Sequence, residues 1–389
     1  LLCSVGMWAQ ASYNHTYTEG VTVAAGGNYF LYNIGAKQFL TSGMAWGTHA
    51  TVDNSGRVLT LTASDTGYKI YTQHLSLNNR TVSKEGYLFA NTDGVWTDNT
   101  TIDDVWYIEA VSVDGYTNAY TIKKDASTYL QFNSSDCNVN VGSSTGDNNS
   151  YWLLIPKATR EAAGDYGHYL INTQMNSPWE WKTWSGSTEN NGDVIAVGGL
   201  TTNRCGEKYH VVKDIYQDIK ESVPNGKYIF YAQAFWRQDG SSAGPVLYAN
   251  SDSQLLAVLN ANSEGTAEDK DGASTSFTSG LYVNNVSTIV TNNTLRVGIN
   301  ITANDQWVIW DNFVLDYLGT TLINDAAAFT TGSTTAADTW YYYDIPTTDN
   351  YEFTSSAAAT LTYTTDGTQL TSGATGTSST FTAPVTQRP

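Results

Sequence analysis

Between residues 12 and 157 the chain repeats itself loosely, and the period of that repeat limits what it can fold into. A first copy opens on Tyr29-Phe30-Leu31-Tyr32-Asn33 and runs through Phe39-Leu40 to Gly67-Tyr68-Lys69-Ile70. A second sets Tyr87-Leu88-Phe89 ahead of Asp104-Val105-Trp106-Tyr107-Ile108. A third sets Tyr120-Thr121-Ile122 and Tyr129-Leu130-Gln131-Phe132 ahead of Tyr151-Trp152-Leu153-Leu154. Copies of about 40 to 50 residues match one lobe of a threefold β structure; one lobe cannot bury its apolar side alone, whereas three can close a barrel. Trp106 and Trp152, each flanked by aliphatic residues late in a copy, are expected in the shared core.

Composition agrees with an all-β fold. Of 389 residues only 14% are charged while 13% are aromatic, with 26 Tyr and 12 Trp. Pleated surfaces favour β-branched and aromatic side chains, and tight turns need Gly and Asn. The length suits two or three domains. A formal net charge of -18 argues against nucleic acid and anionic membrane surfaces as partners, because neutralising phosphates takes clustered Lys and Arg. No apolar run approaches the roughly 20 residues of a membrane helix.

The repeated aromatic-x-aliphatic strand, the Leu or Phe that follows it, and the late Trp106 and Trp152 resemble the ricin-type β-trefoil family. The resemblance covers residues 12–157. The family's Gln-x-Trp stands here as Asp104-Val105-Trp106 and Ser150-Tyr151-Trp152, a departure at the positions tied to the family's sugar pockets. Further on, four segments follow the order of the galactose-binding-like jelly-roll sandwich found in carbohydrate-binding modules. They are Asp214-Ile215-Tyr216-Gln217-Asp218-Ile219, Pro224-Asn225-Gly226-Lys227-Tyr228, Ala232-Gln233-Ala234-Phe235-Trp236-Arg237 and Trp310-Asp311-Asn312-Phe313-Val314-Leu315. The expected architecture is therefore a trefoil, a jelly-roll β-sandwich over residues 168–319, and part of a third small β domain over 320–389.

In the sandwich region Tyr228, Phe230, Ala232, Ala234 and Trp236 alternate onto one face of a strand launched by Pro224-Asn225-Gly226. Leu295, Val297, Ile299 and Ile301 alternate in the same way ahead of a second strand rich in Trp, and the two read as an antiparallel hairpin closing the domain. Residues 158–167 break the strand pattern after Pro156 and read as a linker with room for a short helix. Residues 1–11 fit the tail of a signal peptide ending at Ala9-Gln10-Ala11, so export to the cell exterior or surface is expected. Cys137 and Cys205 form no redox or zinc spacing, and the five His are scattered.

Sugars offer axial C–H groups that pack on aromatic rings and hydroxyls that take paired hydrogen bonds from Asp, Asn, Arg or Trp. Asn176-Ser177-Pro178-Trp179-Glu180-Trp181-Lys182-Thr183-Trp184 is the richest such cluster, either a sugar wall or a core plug at the start of the sandwich. Trp236, Arg237 and Asp239 at a strand end form a second. Trp46 and Trp96, in Gly- and Asp-rich turns, are the trefoil's candidates. Asp311 resembles the acidic position that ligates a structural calcium in this sandwich family, which implies calcium as the one cofactor.

No residue pair stands out for catalysis. The sequence thus reads as a secreted, non-enzymatic glycan-binding or polysaccharide-binding protein. One alternative makes these the accessory domains of a larger secreted glycoside hydrolase or peptidase whose catalytic domain lies beyond Pro389; another is a structural surface protein.

Overall fold

The computed structural model describes residues 14–43, 48–73, 85–100, 104–143, 146–175, 181–184, 195–196, 205–219, 221–238, 240, 242–259, 273, 276–277 and 279–319, and six short strands between 322 and 386. The protein is all-β apart from a few short helical segments. Its strands distribute over two compact units. The first holds the N-terminal region with most of the sandwich strands, and the second gathers residues 222–228, 288–295 and 317–389.

Among the described residues twelve strands make the N-terminal region: β1 (Asn28–Asn33), β2 (Gln38–Ser42), β3 (Ala50–Asp53), β4 (Leu59–Ser64), β5 (Gly67–Thr72), β6 (Gly86–Asn91), β7 (Gly94–Asn99), β8 (Tyr107–Val113), β9 (Tyr116–Lys123), β10 (Tyr129–Asn133), β11 (Asn138–Gly142) and β12 (Trp152–Ile155). One four-strand lobe occurs three times. Its middle strands form a hairpin, β2–β3, β6–β7 or β10–β11. Its first strand meets the residues that open its fourth: Tyr29 faces Leu59, Tyr68 faces Trp106, and Tyr120 faces Trp152. Pairing of β1 with β12 closes the structure, so that β12, β9, β10, β11, β3, β2 and β1 form an unbroken hydrogen-bonded ring. This is the connectivity of a β-trefoil. The sequence repeat was out of phase with it: Gly67-Tyr68-Lys69-Ile70 opens the second lobe as β5 and does not end the first.

Leu31, Ile70 and Ile122 from the opening strands, Leu40, Leu88 and Leu130 from the hairpins, and Trp106 with Trp152 all bury in one cluster. Each indole N–H is satisfied there, from Trp106 to the Leu88 carbonyl and from Trp152 to the Leu130 carbonyl, both at 2.9 Å. In the first lobe the matching carbonyl, on Leu40, takes the backbone N–H of Arg57 instead, also at 2.9 Å. A buried carbonyl left without a donor costs about 1–3 kcal/mol, so each lobe must fill this position by some route.

After β12, Pro156 precedes helix α1 (Lys157–Ala162). Pro156 is the N-cap, with extended backbone at φ -63 and ψ 149, and has no N–H to leave unbonded. Arg160 of this helix is fully buried. Its Nε and Nη2 bond both Asp165 oxygens at 2.8 and 2.9 Å, Nη1 reaches the Ser55 carbonyl at 2.7 Å, and Nη2 also reaches the Asn54 carbonyl at 2.8 Å. The guanidinium lies over the rings of Phe30 and Phe39, 4.4 and 3.9 Å from their centroids. Tyr17 donates to Asp165 at 2.8 Å. Burial alone would raise the Asp165 carboxyl, but the charge and hydrogen bonds of Arg160 outweigh it and hold the group below the usual carboxylate range.

The seam continues past this pair. Asn54 N donates to Thr173 Oγ1, Asp53 Oδ2 accepts from Thr173 N at 3.1 Å, and Phe313 N donates to the Thr173 carbonyl at 2.8 Å. The turn that ends β3 is thereby bonded to the segment leading into the sandwich.

The sandwich strands are β13 (Lys182–Trp184), β14 (Ile195–Ala196), β15 (Cys205–Tyr209), β16 (Lys213–Asp218), β17 (Gly226–Gln238), β18 (Val246–Ala249), β19 (Asp252–Leu255), β20 (Ala257–Val258), β21 (Val283–Val290), β22 (Arg296–Ile301) and β23 (Gln306–Tyr317). One sheet runs β13-β16-β22-β18-β19, the other β14-β15-β23-β17-β20 with β21 also on β17. Tyr228, Phe230, Ala232, Ala234 and Trp236 are all buried, as their alternation predicts. The closing hairpin is not formed. β22 pairs with β16 and β18 and has no free edge left, so residues 302–305 carry the chain to the other sheet, where β23 pairs with β15.

In the C-terminal region Leu322–Asn324 pairs with Trp340–Tyr342, Asn350–Glu352 with Pro384–Thr386, and Thr360–Tyr363 with Thr377–Thr380. Among the described residues no helix is long and apolar enough to cross a membrane.

Candidate functional site

All three lobes of the trefoil send polar or aromatic side chains to a common cluster, and Trp96 is its centre. Asn91 ends β6, and its Oδ1 accepts from the backbone of Asp93 at 2.9 Å and of Gly94 at 3.1 Å. This is the local bonding that makes Asn a turn residue. The same oxygen accepts the indole N–H of Trp96 at 3.1 Å, so the turn also fixes the ring. His49, just ahead of β3 in the first lobe, bridges Trp96 through the backbone and stacks on its indole with centroids 4.6 Å apart and planes 20° from parallel. Asn140 on β11 in the third lobe places Oδ1 3.3 Å from His49 Nε2. Gly94, at φ +145, is required beneath this stack, since a Cβ there would come within 2.3 Å of His49 Nε2.

Burial lowers the pKa of His49, and the Asn140 hydrogen bond opposes that only in part. The imidazole is therefore neutral at pH 7, with one donor and one acceptor nitrogen. A half-buried indole with a fixed edge, a neutral imidazole and two amides can pack against C–H groups and exchange hydrogen bonds with hydroxyls. His49, Asn91 and Asn140 escape a sequence search because they come from different lobes. The Asn91-x-Asp93-Gly94 turn next to a Trp was the one local signal.

Of the sandwich candidates, Trp181 and Trp236 are corrected. Trp181 is 0% exposed, donates its N–H to the Asn172 carbonyl at 3.0 Å, and lies 4.4 Å from the Phe313 ring. It joins the two sheets as the core plug. Trp236 is 6% exposed and donates to the Leu256 carbonyl at 3.2 Å, with Gly244 packed against its indole. With their N–H groups satisfied inside and their faces covered, neither ring is open to a sugar. Trp184 lies on β13, and Trp46, Trp179 and Asp239 fall outside the described residues.

Arg237 is half-buried, its guanidinium 4.9 Å from the Trp307 ring centroid. Trp307 in turn donates to Glu207 Oε1 at 2.8 Å. Beside them on β15, Tyr209 is 57% exposed and stacks on His210 at 3.9 Å. Arg237 thus braces an aromatic strand end.

Asp311 is fully buried and its Oδ1 accepts from the Asn312 backbone at 2.8 Å. The Asn312 side-chain amide donates to Gln233 at 2.7 Å. Calcium asks for six to eight oxygens, and among the described residues no three His, Cys, Asp or Glu side chains converge to hold a metal. The remaining oxygens of a calcium site here would have to come from amides and backbone carbonyls.

No family model matches the chain, and no curated protein matches it by sequence. Among solved structures it is similar to a ricin B-like lectin from Macrolepiota procera in complex with lactose, at 14% identity over 35% of this chain and 99% of that one, with a TM-score of 0.27. The lysenin pore is similar at 16% identity over 35% of this chain and 49% of that one, with a TM-score of 0.28. So are the CBM22-1 and GH10 modules of an endo-1,4-β-D-xylanase from Clostridium thermocellum complexed with xylohexaose, at 11% identity over 38% and 28% and a TM-score of 0.22. Scores this low carry no functional weight.

Proposed function

We propose that the chain binds carbohydrate without transforming it, through the surface around Trp96. The observation that supports this is the three-lobe cluster itself: an indole fixed at its N–H by Asn91, stacked on His49 and bordered by Asn140. A ring held in one orientation loses little conformational freedom when a sugar face packs on it, which favours affinity. The net charge of -18 selects against sulfated or otherwise polyanionic glycans and for neutral ones.

A glycan array probed with the wild-type chain and with Trp96→Ala tests the proposal. The wild type is expected to bind neutral glycans and the variant to lose them while melting at nearly the same temperature. A blank array with folded wild type would refute it.

A further inference from the structure

A cavity of about 440 Å³ opens between the first trefoil lobe and the residues on either side of α1's end, inside the roughly 300–1,000 Å³ span of small-molecule sites. Gly56, Arg57 and Val58 line it, and they are the three residues before Leu59. By strand register Leu59 takes the position that Trp106 and Trp152 fill in the other lobes. The space thus lies beside the lobe whose core carries a smaller residue, with Tyr71, Gln73 and Glu85 of the second lobe also on its wall.

The lining is amphipathic. Phe30, Val58, Leu170 and Ile171 are apolar, whereas Arg57, Lys157, Glu85 and Glu221 supply two positive and two negative charges that balance. Lys157 Nζ is 3.9 Å from Glu221 Oε2, so part of that charge is already paired. Gln73 and Tyr71 complete the polar rim.

His168 is the informative group. It lines the cavity, is only 7% exposed, and sits among the rings of Phe30, Tyr166 and Tyr169. Neither ring nitrogen meets full hydrogen-bond geometry with a described residue; the groups that approach the ring are the Asp165 backbone and Glu161, whose Oε1 lies 3.6 Å from Nε2. A buried polar group without a partner costs about 1–3 kcal/mol, so two such nitrogens at a cavity wall point to a ligand. Burial first, then the nearby charge of Arg160, pushes the His168 pKa down to about 2. The ring is neutral and offers one donor and one acceptor, the complement of a pair of hydroxyls.

We propose that this cavity binds a small, neutral, polyhydroxylated ligand, a monosaccharide or disaccharide, with His168, Gln73 and Glu85 bonding its hydroxyls and Val58 and Tyr71 meeting its C–H face. The site shares no residue with the Trp96 cluster and stands or falls independently of it.

The test titrates the full chain with galactose, glucose, N-acetylglucosamine, lactose and cellobiose, reading the ring nitrogen shifts of His168 by NMR and affinity by calorimetry. At least one sugar is expected to move the His168 signals. Gln73→Ala and Glu85→Ala, at exposed positions that leave folding intact, should each weaken that sugar by about three- to tenfold, and His168→Phe by about tenfold or more. The proposal is overturned if no sugar shifts His168, if the rim variants bind like wild type, or if inorganic phosphate or glucuronate binds the cavity more tightly than the neutral sugars.

Discussion

The first trefoil lobe and the other two solve the same problem differently. The second and third lobes fill the position facing Tyr68 and Tyr120 with Trp106 and Trp152, and each indole caps a leucine carbonyl of its own hairpin. In the first lobe that position holds Leu59, and the backbone of Arg57 caps Leu40. Its turn is held from outside, by Arg160 on the Asn54 and Ser55 carbonyls. A lobe braced by a later helix need not be filled from within. The cavity lies where this lobe meets the second, while all three lobes meet at the Trp96 surface through His49, Trp96 and Asn140.

The comparison breaks first at its supports. Asp165→Ala leaves Arg160 charged, buried and unpaired, which should cost about 3–5 kcal/mol, read by denaturant unfolding. Trp106→Ala and Trp152→Ala should each cost about 3–5 kcal/mol by removing a buried aromatic and its hydrogen bond. If either Trp variant were nearly neutral, the two lobes would not depend on their indoles. Leu59→Trp sharpens the contrast. The Leu40 carbonyl already accepts from Arg57 N, and an added indole overpacks the lobe, costing about 1–3 kcal/mol. A gain in stability would mean the lobes are interchangeable.

Acid should strain the braced lobe through His168. Its folded pKa of about 2 lies far below the ordinary 6.5, so as pH falls below 6.5 the unfolded chain takes up a proton that the folded chain refuses. Stability therefore declines from pH 6.5 downward. Asp165, held below its ordinary value of 3.8, adds to the loss beneath that pH. His168→Gln should flatten the slope of melting temperature between about pH 6.5 and 4, and an unchanged slope would place the acid sensitivity elsewhere.

How much of this was legible in the sequence follows from the range of the interactions. The aliphatic neighbours of Trp106 and Trp152 mark them as core, and strict alternation marks the buried face of Tyr228 to Trp236, because both signals are local. The repeat in the sequence is out of phase with the lobes, since β5 resembles a strand end as much as a beginning until its partner is known. The hairpin of residues 294–318 failed for a related reason. Alternation shows that a strand has a buried face but not which edge it pairs along, and β22 was already flanked by β16 and β18. Trp clusters were equally ambiguous: Trp181 in a dense aromatic run is core, while Trp96 in a lone turn is half-buried. The His49, Asn91 and Asn140 set spans 91 residues between its outer members, beyond any local pattern.

The most direct test assigns the indole N–H signals and titrates the chain with a neutral glycan bound on the array. The account predicts that the Trp96 signal moves with saturating concentration dependence while those of Trp106 and Trp152, sealed in the trefoil core, stay in place. Movement of the core indoles without Trp96, or glycan binding that leaves Trp96 untouched, would contradict it.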